Sequence, residues 1–284
     1  EDGGKCVSEI IAKGIIPAGM EMMDKSLIIA TDNFVKAGYP RDAESMLIVE
    51  LDGTETEVDD LIKIVSEIAK KNEALGVDAI SVAIPRLFPI SEDDIFNFLG
   101  RVMEAVSLPV LVQDFNPGGM TVGPHFVKRL AKAYPNFRYL KLEEPLMGPK
   151  VEQILEVTDG EIGILEGWGG MYLLENIPAG VCGAMPGMGL ADLLQEAYRL
   201  SKNGSFEAGM DIFEKILPHI VFSLQNLELF LHMEKDLLVR RNLLTHPTVR
   251  AATLTPDTST LNHADWLTER VMKSINAFQS TQKA

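Results

Sequence analysis

Along residues 75–204 the apolar positions fall into two kinds of run. Short aliphatic stretches have strand length and strand composition: DAISVAIP (78–85), PVLVQDF (109–115), FRYLKLE (137–143), IGILEG (162–167) and VCGAMPG (181–187). Between them lie runs whose apolar residues recur every three or four positions: SEDDIFNFLGRVMEAV (91–106), PHFVKRLAKAY (124–134), KVEQILEVTDG (150–160) and LADLLQEAYRLSKNG (190–204). Ser91 is placed to cap the first of these, with acidic residues in its opening turn. Pro124 can open the second. Alternation of strand and helix is the sequence sign of a parallel sheet. From 205 to 245 the pattern is helical without strands, and 264–278 predicts a last amphipathic helix. The stretch THPTVRAATLTPDTSTLN (245–262) reads as an irregular connection.

The first seventy residues are patterned differently. VSEIIAKG (7–14) reads as a helix, IIPAG as a break, and MEMMDKSLIIATDNFVKAG (20–38) as a helix, because Met20, Met23, Leu27, Ile28 and Phe34 recur at roughly helical spacing. SMLIVELDG (45–53) reads as a strand. TETEVDDLIKIVSEIAKKNEALG (54–76) reads as a helix, with Thr54 and Glu57 spaced as a capping box. A right-handed crossover through that helix sets residues 45–52 parallel to and beside 78–84. The count is then six strands, two short of the eight that close a barrel.

Of the 284 residues, 46% are hydrophobic, enough for a sizeable core. The formal net charge of -15 argues against non-specific nucleic-acid binding. No apolar run reaches the roughly 18 residues of a membrane helix. The start, EDGGKCVSE, lacks the basic and apolar regions of a secretory signal and has no initiator Met, so it reads as a fragment or a processed form. Cys6 and Cys182 suggest neither a disulfide framework nor a metal site, and the five histidines show no metal spacing. A cytoplasmic chain with reduced thiols is expected.

Candidate chemistry begins in FRYLKLEEP (137–145). Strand alternation puts Tyr139, Lys141 and Glu143 on one face and Leu140 and Leu142 on the other. Lys141 then lies near the carboxyl end of a strand, where parallel barrels place catalytic groups. A partly desolvated lysine can attack a ketone as a free amine, but a lysine at a strand end can also simply reach solvent. Glu143 is expected to orient substrate or to be structural; a nearby carboxylate would also favour the charged amine. Asp114 is a candidate acid or base, or a turn residue. Gln113 can hydrogen-bond a substrate oxygen but cannot act as an acid. In EGWGG (166–170), Gly167, Trp168 and Gly169 are candidate substrate contacts, or merely make the turn.

Two resemblances add to this reading. The text KCVSEIIAKGIIPAGMEMMDKSLIIATDNFVKAGYPRDAESMLIVELDG resembles the C-terminal domain of FAD-linked oxidases, specifically that of glycolate oxidase, over about residues 1–70. It resembles only a fragment of that domain, and no FAD-binding residue is carried over. From about residue 74 onward, ALGVDAISVAIP, PVLVQD, HFVKRLAKAYPNFRYLKLEEP and HPTVRAATL resemble the dihydrodipicolinate synthase and N-acetylneuraminate lyase family. That likeness implies that Lys141 forms a Schiff base with pyruvate or another 2-keto acid. Where the family has a proton-relaying tyrosine, this chain has Gln113 followed by Asp114. The arginine of the following loop is replaced by NPGGM, and the family's first three strands, with their carboxylate-gripping loop, have no counterpart.

The expected fold class is α/β: a partial TIM-type (β/α) barrel with a C-terminal helical domain, preceded by an α/β fragment of the FAD-linked oxidase C-terminal type. The domains are expected at 1–73, 74–204 and 205–284. The expected activity is that of a lysine-imine lyase or aldolase on a 2-keto acid, with Lys141 as nucleophile, Gln113 and Asp114 in the relay position, and Glu143, Gly167, Trp168 and Gly169 contacting substrate. Neither metal nor FAD is required. The partners are a small 2-keto acid and, at the open sheet edges, further copies of the chain, with no nucleic acid or membrane. The alternatives are an inactive fusion chain, or a glycolate-oxidase-like fragment that needs a flavin-bearing partner.

Overall fold

The aliphatic runs form strands that lie side by side in chain order. The molecule is described by a computed structural model over residues 91–116, 119–250 and 254–282, residues 19–24, 45–50, 79–84 and 86, and positions 10, 63, 64, 67 and 70. The strands are β1 (Gly19–Asp24), β2 (Ser45–Glu50), β3 (Ile80–Ala83), β4 (Val110–Phe115), β5 (Phe137–Glu143), β6 (Gly163–Glu166) and β7 (Gly183–Ala184). They make one sheet in the order β1 to β7. The helices are α1 (Glu92–Ala105), α2 (Pro124–Ala133), α3 (Gly148–Val157), α4 (Leu173–Asn176), α5 (Ala191–Lys202), α6 (Phe206–Ser223), α7 (Leu227–Arg240) and α8 (Thr258–Gln282). The fold class is α/β, a parallel-sheet barrel type with a helical C-terminal part. No described helix is long and apolar enough to cross a membrane.

β2 lies parallel to β3, with Ile48 opposite Ser81 and Val49 opposite Val82, as the crossover rule requires. One element departs from the sequence reading. Residues 20–24 belong to a strand, not to a helix, and β1 pairs antiparallel with β2 from Gly19 opposite Glu50 to Asp24 opposite Ser45. Met-Glu-Met also alternates with period two, so the short run fits both templates. The unpaired backbone groups along the outer edge of β2 decide between them. The rest of that reading, residues 25–38, lies outside the described residues, as does the Thr54 cap.

The chain divides into two compact units, Glu1–Leu165 with Pro178–Gly183, and Glu166–Ile177 with Ala184–Ala284. This boundary differs from the expected 73/74 and 204/205. In the first unit Val110, Leu111, Val112, Leu140 and Leu142 are buried from both sheet faces. Ile95, Leu99 and Met103 of α1, Phe126, Val127 and Leu130 of α2, and Val151 and Ile154 of α3 supply the buried helix stripes. The Ser91 hydroxyl caps α1 by accepting the Asp94 N–H at 3.1 Å. In the second unit α5 and α6 approach closely at Gly209, where an added Cβ would lie 2.2 Å from Ser201 Oγ and 2.7 Å from the Ala197 carbonyl.

Candidate active site

Register brings three of the expected residues together. Gln113 of β4 is the direct partner of Lys141 of β5, and Phe115 is the partner of Glu143. Neighbouring partners point to the same face of the sheet, so Gln113, Lys141 and Glu143 share one face at the carboxyl ends of adjacent strands. Lys141 Nζ lies 3.1 Å from Glu143 Oε1, and both side chains are buried, 5% and 9% exposed. Gln113 Nε2 donates to the same Oε1 at 2.7 Å. A carboxylate that already receives an amide N–H is fixed in place beside the amine and can exchange a proton with it or with a group bound to it.

Asp114 is placed differently from the expectation. It pairs with Leu142, so it points to the opposite face from Lys141. It is fully buried, and its two oxygens accept from Arg86 Nε at 2.9 Å and Nη2 at 2.8 Å. Oδ2 also accepts the Val122 N–H at 2.6 Å. A carboxylate so engaged anchors the connection after β4, and it lies on the face away from Lys141. Arg86 escaped the sequence reading because its partner is 28 residues away and shows itself only once β3 and β4 are set in register. A second carboxylate ties the same connection. Glu144 Oε2 accepts from Thr121 N–H at 3.0 Å and from Thr121 Oγ1 at 2.8 Å, and Lys150 Nζ lies 2.5 Å from its Oε1. Burial pushes the Glu144 carboxyl up, but the hydrogen bonds from Lys150 and Thr121 outweigh it and hold the group below the ordinary range.

The 166–170 loop belongs to the second unit. Buried Glu166 accepts the Trp168 N–H at 2.9 Å, and the Gly169 N–H donates to the Gly167 carbonyl at 2.9 Å. These N–H groups close the loop on itself. Gly169 has φ +63°, and a Cβ there would meet Leu224 at 2.8 Å, so its glycine serves the turn and the packing.

The second unit has its own small cleft, lined by Pro186, Gly187, His219, Ser223, Phe230 and Glu234. Glu234 Oε1 accepts the Gly189 N–H at 2.6 Å. Burial pushes its carboxyl up, against the backbone N–H groups of Gly189 and Met188 and the charge of Arg241. His219 is pulled down to about 4 by burial. Among the described residues no group of three His, Cys, Asp or Glu side chains is arranged to hold a metal.

Comparison with known proteins matches both halves of the chain. The family model for FAD linked oxidases, C-terminal domain, matches residues 1–84, and that of the dihydrodipicolinate synthetase family matches residues 63–263. Glycolate oxidase subunit GlcD of Escherichia coli K12 is 41% identical over 103 residues, 36% of this chain and 21% of that protein. L-2-keto-3-deoxyarabonate dehydratase of Azospirillum brasilense is 28% identical over 134 residues, 47% of this chain and 43% of that enzyme. The chain thus spans less than half the length of either relative. The crystal structure of dihydrodipicolinate synthase from Rhodopseudomonas palustris superposes with a TM-score of 0.68 over 87% of this chain and 81% of that one, at 21% identity, a likeness of fold.

Proposed function

The chain belongs to the dihydrodipicolinate synthetase family, and from that premise we propose that it is a lysine-imine lyase that removes water from a hydroxylated 2-keto acid. The observation that carries this reading is the buried Lys141 amine, 3.1 Å from a Glu143 carboxylate that Gln113 holds in place. The Lys141 amine adds to C2 of the keto acid, and the adduct loses water to form an imine. The protonated imine draws electrons from C3. Glu143 takes the C3 proton, and the electron pair of that C–H bond forms an enamine. The enamine expels the C4 hydroxyl, which leaves as water with the proton that Glu143 returns. Water then hydrolyses the imine, freeing Lys141 and an unsaturated 2-keto acid. Electrons are accepted by the imine itself throughout.

Two features favour elimination over carbon–carbon chemistry. A carboxylate beside the amine serves both the removal of the C3 proton and its delivery to a departing hydroxyl. The Azospirillum relative is named as a dehydratase of L-2-keto-3-deoxyarabonate, which makes that acid the first substrate to try. Borohydride reduction in the presence of pyruvate or of L-2-keto-3-deoxyarabonate should add the reduced ligand's mass to the peptide holding Lys141. Lys141→Arg should abolish the label, since a guanidinium stays charged. Labelling elsewhere, or none with either acid, sinks the reading.

A further inference from the structure

Two helices border the cleft of the second unit, and each contributes a pair of residues four apart: His219 and Ser223 from α6, Phe230 and Glu234 from α7. Residues at that spacing stand one above the other on a helix face. The backbone of Gly187 closes another side. A Cβ there would lie 2.8 Å from both the Phe230 ring and the Glu234 carboxyl, so ring and carboxyl converge on bare backbone. The space left between them takes a guest about the size of one water molecule.

The polar side chains around this space have acceptors to offer. The Thr268 hydroxyl donates to the Ala264 carbonyl at 2.9 Å, so it accepts from His219 Nε2, 3.4 Å away. Nε2 therefore carries the ring proton, and Nδ1 keeps its lone pair. Burial holds this imidazole neutral at ordinary pH. The Ser223 hydroxyl gives its proton to the Ile220 carbonyl at 2.9 Å, which leaves its own lone pairs. Glu234 Oε1 takes the Gly189 N–H at 2.6 Å, and a carboxylate has about four lone-pair positions. Arg241, whose charge reaches Glu234, is itself bound to both oxygens of Asp192, at 3.0 and 2.6 Å. We propose that the cleft binds a small ammonium group, with Glu234 opposite its charge, His219 Nδ1 and Ser223 Oγ accepting its N–H groups, and the Phe230 ring beside it. A buried carboxylate, neutral acceptors and an aromatic ring are partners that such a cation takes up. The imidazole lone pair favours a cation that donates hydrogen bonds over a hard metal cation, which prefers oxygen ligands. The site is independent of Lys141.

Ammonium chloride is titrated into the full chain, with sodium chloride holding the ionic strength constant, while NMR of the nitrogen-labelled protein follows the ring nitrogens of His219. His219→Phe identifies their signals. Ammonium should move the Nδ1 signal along a saturable curve. Glu234→Gln should weaken the binding about tenfold or more, the size of one charged hydrogen bond, and Ser223→Ala about fivefold. Should Glu234→Gln fail to fold, Ser223→Ala carries the comparison. Methylammonium separates two sources of the group: saturation with both cations assigns the end of a larger primary amine, and saturation with ammonium alone assigns the free ion. An equal response to potassium, or to tetramethylammonium, which donates no hydrogen bond, overturns the proposal. So does unchanged affinity in a folded variant. No saturable movement with ammonium leaves the cleft to water and overturns it as well.

Discussion

Gln113 and Glu143 meet across the β4–β5 pair, the amide nitrogen donating to Oε1 at 2.7 Å. The same oxygen faces the amine of Lys141. The amide cannot give up a proton as a phenol can, so its part is to aim the carboxylate. Replacing Gln113 by Leu should leave borohydride labelling of Lys141 in place and lower turnover of the hydroxylated acid about tenfold, the equivalent of one hydrogen bond to a charged group. Steady-state kinetics beside trapping yields provide the check; loss of labelling would show that Gln113 acts on the amine instead.

Glu143→Gln separates the two steps more sharply. With the carboxylate neutralised, one influence that favours the charged amine is removed, so imine trapping at neutral pH should be as fast as in the unaltered chain or faster. Removal of the C3 proton should slow by roughly 10²- to 10⁴-fold, the usual contribution of a positioned base. Exchange of C3 protons of pyruvate for deuterium, followed by NMR, reads that step directly. Unchanged exchange would remove Glu143 from the mechanism.

The buried Lys141–Glu143 pair also makes a stability prediction. Glu143→Leu removes the carboxylate 3.1 Å from the buried amine and should cost about 3–5 kcal/mol. Lys141→Met with Glu143→Leu replaces both charges by apolar groups and should regain most of that loss. Urea unfolding of these two variants and of Lys141→Met alone closes the cycle. A double variant as unstable as the sum of the singles would mean that the pair is not coupled.

His219 is buried beside Thr268, and burial holds it near 4, below its free value of 6.5. The unfolded chain therefore binds a proton between pH 6.5 and 4 that the folded chain refuses. Stability present above pH 6.5 is lost as the pH falls toward 4, by on the order of 3 kcal/mol from this group. Glu234, with its raised pKa, acts in the opposite sense. The measurement is accordingly a difference: His219→Leu should lose less stability than the unaltered chain between about pH 7 and about pH 4.5. Parallel pH profiles would contradict it.

At Gly209 a methyl group would press on the Ala197 carbonyl and on Ser201 Oγ, and backbone cannot swing aside as a side chain can. Gly209→Ala should destabilise the α5–α6 contact by about 1–3 kcal/mol in spite of the better helix propensity of alanine. A denaturant midpoint equal to that of the unaltered chain would count against the close approach.

What could be read from the sequence followed from local physics. Aliphatic runs and capped, periodic helices placed β3 to β6 and α1 to α3, because both faces of those strands are buried and their helices carry clear stripes. The final helix starts at Thr258, ahead of the expected 264, since Asp257 Oδ1 accepts the Thr260 N–H and caps it. That aspartate follows Pro256 and stood in the sequence as an unread start signal. The strand expected over 181–187 shrinks to Gly183–Ala184. Lys141, Gln113 and Glu143 were legible through alternation. The anchors of the connection after β4 were not, because Arg86 with Asp114 and Glu144 with Thr121 are long-range pairs that only register creates. The partners of the Trp168 and Gly169 N–H groups were equally hidden, since a turn's internal bonds depend on its dihedral angles.

β2 is held through main-chain bonds on both edges: it pairs antiparallel with β1 on one side and parallel with β3, where the two family matches overlap, on the other. Amide and carbonyl groups repeat along any strand and do not identify the side chains they carry. A sheet can thus be extended at its edge by a segment of unrelated ancestry, provided that its length and pleat agree. The requirement for pairing β2 with β3 is geometric, so it constrains strand length and pleat far more tightly than side-chain identity.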